Sequence, residues 1–149
     1  MPTNHEVLSV ACLIFSANAY STRAFLDARL PLAWLCVTLT SVCHHTEPAN
    51  RLIVWVDRAA VYNLVIENAL AAACCPAWVQ AYFIGVVAYS ALWYYAAMLG
   101  AFARDEARLR LHLLMYALTS SAGYCIGQTA TDACWEDRYD FEFNRSVSV

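Results

Sequence analysis

Hydrophobic positions dominate long stretches of the chain, and short polar links separate these stretches. None of them alternates with a two-residue period, and most approach the ~20 apolar residues that a helix needs to cross a bilayer. Helices are therefore predicted, because a helix satisfies its own backbone hydrogen bonds within one segment. The five predicted segments cover residues 6–25, 30–46, 52–75, 77–102 and 107–127.

The polar links give the boundaries of these segments and the domain organisation. Glu47-Pro48-Ala49-Asn50 is a turn signal, and Pro76 ends the third segment. The first segment lacks a basic leader region, so it is interpreted as a retained span rather than a cleaved signal. The sequence thus predicts an all-α fold, a polytopic transmembrane helix bundle of about five spans over residues 1–128. A polar C-terminal tail is predicted over residues 129–149.

Composition supports the same interpretation. The chain of 149 residues is 61% hydrophobic and 14% charged, whereas an ordinary soluble domain is ~45–50% apolar and ~25% charged. Its mean hydropathy is +0.46. These values predict a multi-pass integral membrane protein in an unspecified compartment. Membrane lipid is its expected partner, together with a further copy of the chain or another membrane protein.

Several function classes are disfavoured by the residue counts. A net charge of -3 offers no electrostatic footprint for nucleic acid. All nine basic residues are arginine, so a retinal-type Schiff base, which needs a lysine amine, is excluded. The seven cysteines form no CxxC pair, which argues against a structural zinc knuckle or a thioredoxin-like motif. Most are interpreted as small apolar residues within the segments.

Ionisable residues inside apolar segments are the candidate functional residues, because such groups are costly in a lipid environment. Ser41, His44 and His45 end the second segment, Asp57 lies near the start of the third, and His112 lies near the start of the last. Alternating spans place all of them at one end of the bundle. The four-residue spacing also places Ser41 and His45 on one helix face. A common polar site is therefore predicted.

These residue types are suited to metal-assisted hydrolysis. Neutral imidazole is a common zinc ligand, and a catalytic zinc keeps three protein ligands and one water. Asp57 is a candidate for holding that water or acting as general base, and Ser41 for supporting it. Structural alternatives remain open: the histidines as hydrogen-bonded packing residues, or Asp57 as a local partner of Arg58. A haem held by His112 and either His44 or His45 is a further alternative, with His5 left in the leader.

The order of these residues resembles the CREST superfamily. Ser41-x-x-x-His45 closes one segment, Asp57 opens the next, and His112 stands in the motif Leu-His-Leu-Leu-Met-Tyr that opens the last. That superfamily includes alkaline ceramidases, the progestin and adipoQ receptors, and lipid-remodelling hydrolases of GPI anchors. The resemblance implies a zinc-dependent hydrolase of lipid amides or esters. It assigns His45 and His112 as ligands, Asp57 to the water, and Ser41 to a supporting role.

Two features depart from the family pattern. Tyr116 stands where the family has the second histidine of His-x-x-x-His, so His44 or Asp57 is left as the candidate third ligand. Five predicted segments replace the seven spans of the family, so part of the bundle is missing or comes from another copy. The Tyr116 departure favours the alternative of a non-catalytic relative, receptor-like or scaffolding in role.

Overall fold

The chain folds as an all-α protein. A computed structural model describes residues 3–22, 29–100 and 105–130, and these ranges contain no β-strand. The predicted all-α class is therefore confirmed, while most of the predicted polar tail lies outside the described residues. The helices are α1 (Asn4–Cys12), α2 (Ile14–Ser21), α3 (Arg29–Thr46), α4 (Arg51–Ala72), α5 (Ala77–Met98) and α6 (Asp105–Thr129).

Local sequence signals account for the helix ends. Thr3 and Glu6 form a capping box that starts α1. The side chain of Asn50 accepts hydrogen bonds from two backbone N–H groups in the first turn of α4, at 3.2 and 3.4 Å. Pro76 precedes α5, and Gly100 takes a positive φ of 70° just after it. The predicted breaks at residues 47–50 and at Pro76 are where the structure has them.

The first predicted segment is not a single helix. It divides at Leu13, whose backbone N–H bonds to the carbonyl of Val10 at 3.1 Å, three residues back. This tighter turn separates α1 from α2, which have nine and eight residues. Residues 23–25 of the predicted segment lie outside the described residues.

The prediction of about five membrane spans is wrong. Within the described ranges, no helix combines the length and the apolarity that crossing a membrane requires. The predicted polytopic transmembrane bundle and the multi-pass integral membrane localisation are both corrected by this finding. Two physical reasons are clear: α1 and α2 are less than half the necessary length, and charged residues interrupt α4. These residues are Arg51, Asp57, Arg58 and Glu67.

Two helices organise the packing. Helix α3 contacts α1, α2 and α4, and α6 contacts α5, α2 and α1. The core between them is centred on Trp34, which is 1% exposed and packs against Phe15 with ring centroids 5.8 Å apart. Phe15 in turn meets Tyr116 edge-on at 5.1 Å. The apolar core therefore continues directly into the polar residues at the C-terminal end of α3.

Candidate functional site

Asp57 is the centre of a buried polar cluster between α3 and α4. One of its carboxylate oxygens accepts hydrogen bonds from Ser41 Oγ at 2.6 Å and Thr40 Oγ1 at 3.1 Å. The other oxygen lies 2.8 Å from His44 Nδ1. All three partners come from the last two turns of α3, and the carboxylate itself is buried. Both oxygens of Asp57 are thus engaged by neighbouring side chains.

The charge of Asp57 determines the proton position on His44. Burial alone raises the pKa of Asp57, but hydrogen bonds from His44, Ser41 and Thr40 and the nearby His44 charge bring it below the ordinary value. The carboxylate is therefore ionised at neutral pH and can only accept hydrogen bonds. His44 Nδ1 must then carry the hydrogen. In the neutral ring this leaves the lone pair on Nε2, as a general base requires.

His45 points away from Asp57 and toward α6. Its Nε2 lies 2.7 Å from the hydroxyl of Tyr116, and both side chains are buried. The Cys12 side chain of α1 lies beside the same hydroxyl, and burial raises the pKa of its thiol to about 11. Burial also raises the pKa of Tyr116, so this hydroxyl stays protonated. The Tyr116 hydroxyl therefore joins α3 and α6 by a hydrogen bond, next to Cys12 of α1.

All four histidines of the chain meet at this end of the bundle. His45 stacks on His44 with ring centroids 5.0 Å apart, lies 5.6 Å from His112 and 6.1 Å from His5. On its other side His112 contacts Trp93 of α5 at 4.6 Å. We call this group of four imidazoles the histidine cluster. Four helices contribute to it or line it directly.

Burial keeps two imidazoles of the histidine cluster uncharged at neutral pH. The pKa of His45 falls from 6.5 to about 4, first because burial disfavours the cation and then because His44 lies beside it. The pKa of His112 falls to about 3, again through burial first and then through His45 and Arg108. Neutral imidazole is the form that accepts hydrogen bonds or ligates a metal.

The candidate residues predicted from the sequence lie near one another in the structure. Ser41 and His44 lie against Asp57, His45 lies against Tyr116, and His112 borders His45 and Trp93. They come together at one end of the bundle, although Ser41 and His45 serve different partners despite their shared helix face. Their catalytic and ligand roles stay predictions.

Sequence reasoning missed four contributors to this site. Thr40 carries no periodic signal, because it lies one residue and ~100° around the helix from Ser41. Cys12 is typical of cysteines in apolar segments, and Trp93 is typical of aromatic residues at a membrane interface or in helix packing. His5 was left in the leader although it approaches His45. The one sequence signal for His5 was that the chain has only four histidines. The structure places all four together.

The side chains do not form a ready metal site. In the described part of the chain, no group of three or more His, Cys, Asp or Glu residues is arranged to hold a metal ion. The rings of His44 and His45 are within 7° of parallel, so their in-plane lone pairs cannot converge on one ion. His44 Nδ1 is engaged by Asp57, and His45 Nε2 by Tyr116. Zinc at His44, His45 and His112 stays a prediction that this arrangement does not fit.

The haem alternative fits no better. It needs His112 and His45 to face each other across a gap as wide as a macrocycle. Instead the two rings meet edge to face at 5.6 Å, and the Tyr116 hydroxyl lies against His45 Nε2. We therefore do not propose haem binding.

Comparisons with known proteins add no functional information. No family model matches the chain, and searches of curated proteins and of solved structures give no match. The resemblance to the CREST superfamily therefore stays a prediction that rests on the residues quoted above.

Acidification is expected to destabilise the fold through the histidine cluster. In the unfolded chain His45 and His112 protonate near 6.5, whereas in the folded chain they stay neutral down to about 4 and about 3. The unfolded state therefore binds more protons in this window. Stability is complete above pH 6.5 and falls below it, by up to ~1.4 kcal/mol per pH unit for each histidine.

Urea unfolding followed by circular dichroism at neutral pH, at pH ~5.5 and at pH ~4.5 measures this dependence. His112→Gln should remove about half of the pH dependence, because one of the two depressed imidazoles is then absent. Equal stability of the unsubstituted protein at all three pH values contradicts the prediction.

Proposed function

We propose that this chain is a hydrolase in which His44 acts as general base, oriented by Asp57. The observation that carries the proposal is the 2.8 Å contact between His44 Nδ1 and Asp57. Ser41 and Thr40 hold the same carboxylate from its other oxygen. Nucleophiles are commonly activated by a base that a third residue holds in orientation. Here Asp57 would hold Nδ1 of His44, and Nε2 would act as the base.

The position of Ser41 makes water the attacking group. Ser41 Oγ donates to Asp57 at 2.6 Å, so it orients the carboxylate instead of facing the basic nitrogen of His44. The His44 side chain is 29% exposed, which leaves Nε2 access to water and substrate. Ser41 is thus a positioning residue.

The reaction follows from these positions. His44 Nε2 takes a proton from water as the water oxygen bonds to the acyl carbon of the substrate. The proton then passes from Nε2 to the departing oxygen or nitrogen, and the acyl bond to that atom breaks. Asp57 stabilises the transient imidazolium. The products are a carboxylic acid and an alcohol or amine.

Lipid esters and amides are the proposed substrate class. Support comes from the resemblance of Ser41, His45, Asp57 and His112 to the CREST pattern. It also comes from the apolar surroundings of the site, where Phe15 packs on Tyr116 and Trp93 packs on His112. An acyl chain suits such surroundings better than a charged or highly polar substrate does.

Substitution of His44 tests the proposal. His44→Gln keeps a polar side chain but removes the base, so kcat/KM for a fluorogenic fatty-acyl ester or amide in micelles should fall by ~10²–10⁴-fold. Cys43→Ala is the matched control, because Cys43 is the exposed neighbour on α3 and is a free thiol. Wild-type protein that hydrolyses neither substrate class, or full activity in His44→Gln, contradicts the proposal.

A second candidate is a non-catalytic protein in which the cluster only joins helices. The observation in its favour is that protein groups already occupy both Asp57 oxygens and His45 Nε2. In that case His44→Gln should lower the free energy of unfolding, Cys43→Ala should not, and neither variant nor the unsubstituted protein should show hydrolysis. The assay above therefore separates the two candidates.

A further inference from the structure

Tyr116 occupies the position in front of His45 where a metal ion would bind. A zinc ion lies ~2.0–2.1 Å from a ligating ring nitrogen, in the plane of the ring. In this structure the Tyr116 hydroxyl is 2.7 Å from His45 Nε2. The Cys12 side chain of α1 lies beside the same hydroxyl.

The proton positions of this group agree with a permanent hydrogen bond. With the ring hydrogen on Nε2, His45 donates to the phenolic oxygen of Tyr116. His45 Nδ1 then carries the lone pair; it is buried and has no hydrogen-bond partner among the described residues. A buried acceptor without a partner is better tolerated than a buried N–H without one. In this tautomer the nitrogen beside Tyr116 has no lone pair for a metal.

The other imidazoles of the histidine cluster do not replace His45 as a metal ligand. His44 is engaged by Asp57 through Nδ1 and lies parallel to His45. The ring of His112 lies 5.6 Å from that of His45 on another helix and 4.6 Å from that of Tyr116, one turn along its own helix. Even with His5 included, no three of these side chains are arranged to hold a metal ion in the described part of the chain.

We propose that the Tyr116 hydroxyl takes the place of a metal ion, so that the histidine cluster is held together without one. This metal-free arrangement belongs to the site of the proposed hydrolysis, and its functional significance rests on that proposed function. Its tests measure metal content and thermal stability without turnover. Failure of this inference is therefore seen separately from failure of the proposed hydrolysis.

The first test uses the unsubstituted full chain, purified without chelator. Elemental analysis should find far less than one zinc per chain, and adding EDTA should leave Tm unchanged. Stoichiometric zinc, or a fall of Tm in EDTA, overturns the proposal. This measurement needs no variant, so it holds even where a substituted chain fails to fold.

The second test restores the missing imidazole. Ring centroids of His45, His112 and Tyr116 lie 4.6 to 6.3 Å from one another, so Tyr116→His offers three imidazoles from two helices. This variant should bind about one added zinc per chain, with a higher Tm in zinc than in EDTA. Tyr82→His is the control. Like Tyr116, Tyr82 hydrogen-bonds a side chain of another residue, here the hydroxyl of Ser121, but this contact is exposed. Zinc binding no greater in Tyr116→His than in this control overturns the proposal.

Discussion

Asp57→Asn is expected to lower hydrolysis by ~10³–10⁴-fold, through a change of tautomer at His44. The amide has one oxygen, which Ser41 and Thr40 retain, and it presents its NH₂ group to His44. Two donors cannot face each other, so His44 must accept at Nδ1 and carry its hydrogen on Nε2. The base is thereby removed while the ring stays in place.

The same substitution is expected to destabilise the fold by about 3 kcal/mol, because a buried charged partner of His44 is lost. Urea unfolding gives the stability, and the acyl-substrate assay gives the activity. Glu106→Gln is the matched control: its carboxylate pairs with Arg110 at 2.6 Å, but both side chains are exposed. That change should cost ~0–1 kcal/mol and leave hydrolysis unaffected. Equal changes in the free energy of unfolding and in hydrolysis for the two variants contradict the central role of Asp57 in the site.

Gly123→Ala is expected to lower the free energy of unfolding by about 3 kcal/mol through overpacking. An added Cβ would meet the indole of Trp34, with Cη2 only 2.8 Å away and Cζ2 closer still. The indole is 1% exposed and enclosed by Phe15, so it has no free space to move into. Helix α6 would have to shift away from α3, and Tyr116 would move with it.

Gly85→Ala is the control for this prediction. Gly85 lies within α5, and nothing stands within 4 Å of a Cβ added there. Alanine at an open helical position should stabilise the chain by ~0.5–1 kcal/mol. The two glycine variants should therefore move the urea midpoint in opposite directions. A midpoint unchanged by Gly123→Ala contradicts the close packing of α3 and α6.

Much of the helical framework could be predicted from the sequence. The predicted segments 30–46, 52–75, 77–102 and 107–127 each coincide with one helix to within a few residues. Local signals suffice there, because Pro76 and a capping Asn50 end or start helices through their own backbone chemistry. The break at Leu13 could not be predicted, since no glycine or proline marks it.

Polarity within the helices was partly predictable. Asn68 follows Asp57 by eleven residues, a spacing that predicts nearly the same face of a helix, and both are buried. The shared face does not define the partner, however: the Asn68 amide donates to the carbonyl of Leu64 on its own helix, at 2.9 Å. Periodicity tells which face a residue occupies, whereas a hydrogen bond depends on distances of a few tenths of an ångström.

The membrane prediction shows where composition misleads. An apolar fraction of 61% is a property of the whole chain, whereas crossing a bilayer requires that apolar residues be continuous within one long helix. Charged residues in α4 and the division of the first segment at Leu13 break that continuity.

The helical class, most of the helix ends and the grouping of the candidate site residues at one end of the bundle follow from the amino-acid sequence. Periodicity and capping suffice for that, because they act over a few neighbouring residues. The pairing of Asp57 with His44 rather than His45, and that of His45 with Tyr116, come from the packing of the helices. Those pairings depend on how α1, α3, α4 and α6 pack, and no local rule encodes the distance between side chains 71 positions apart.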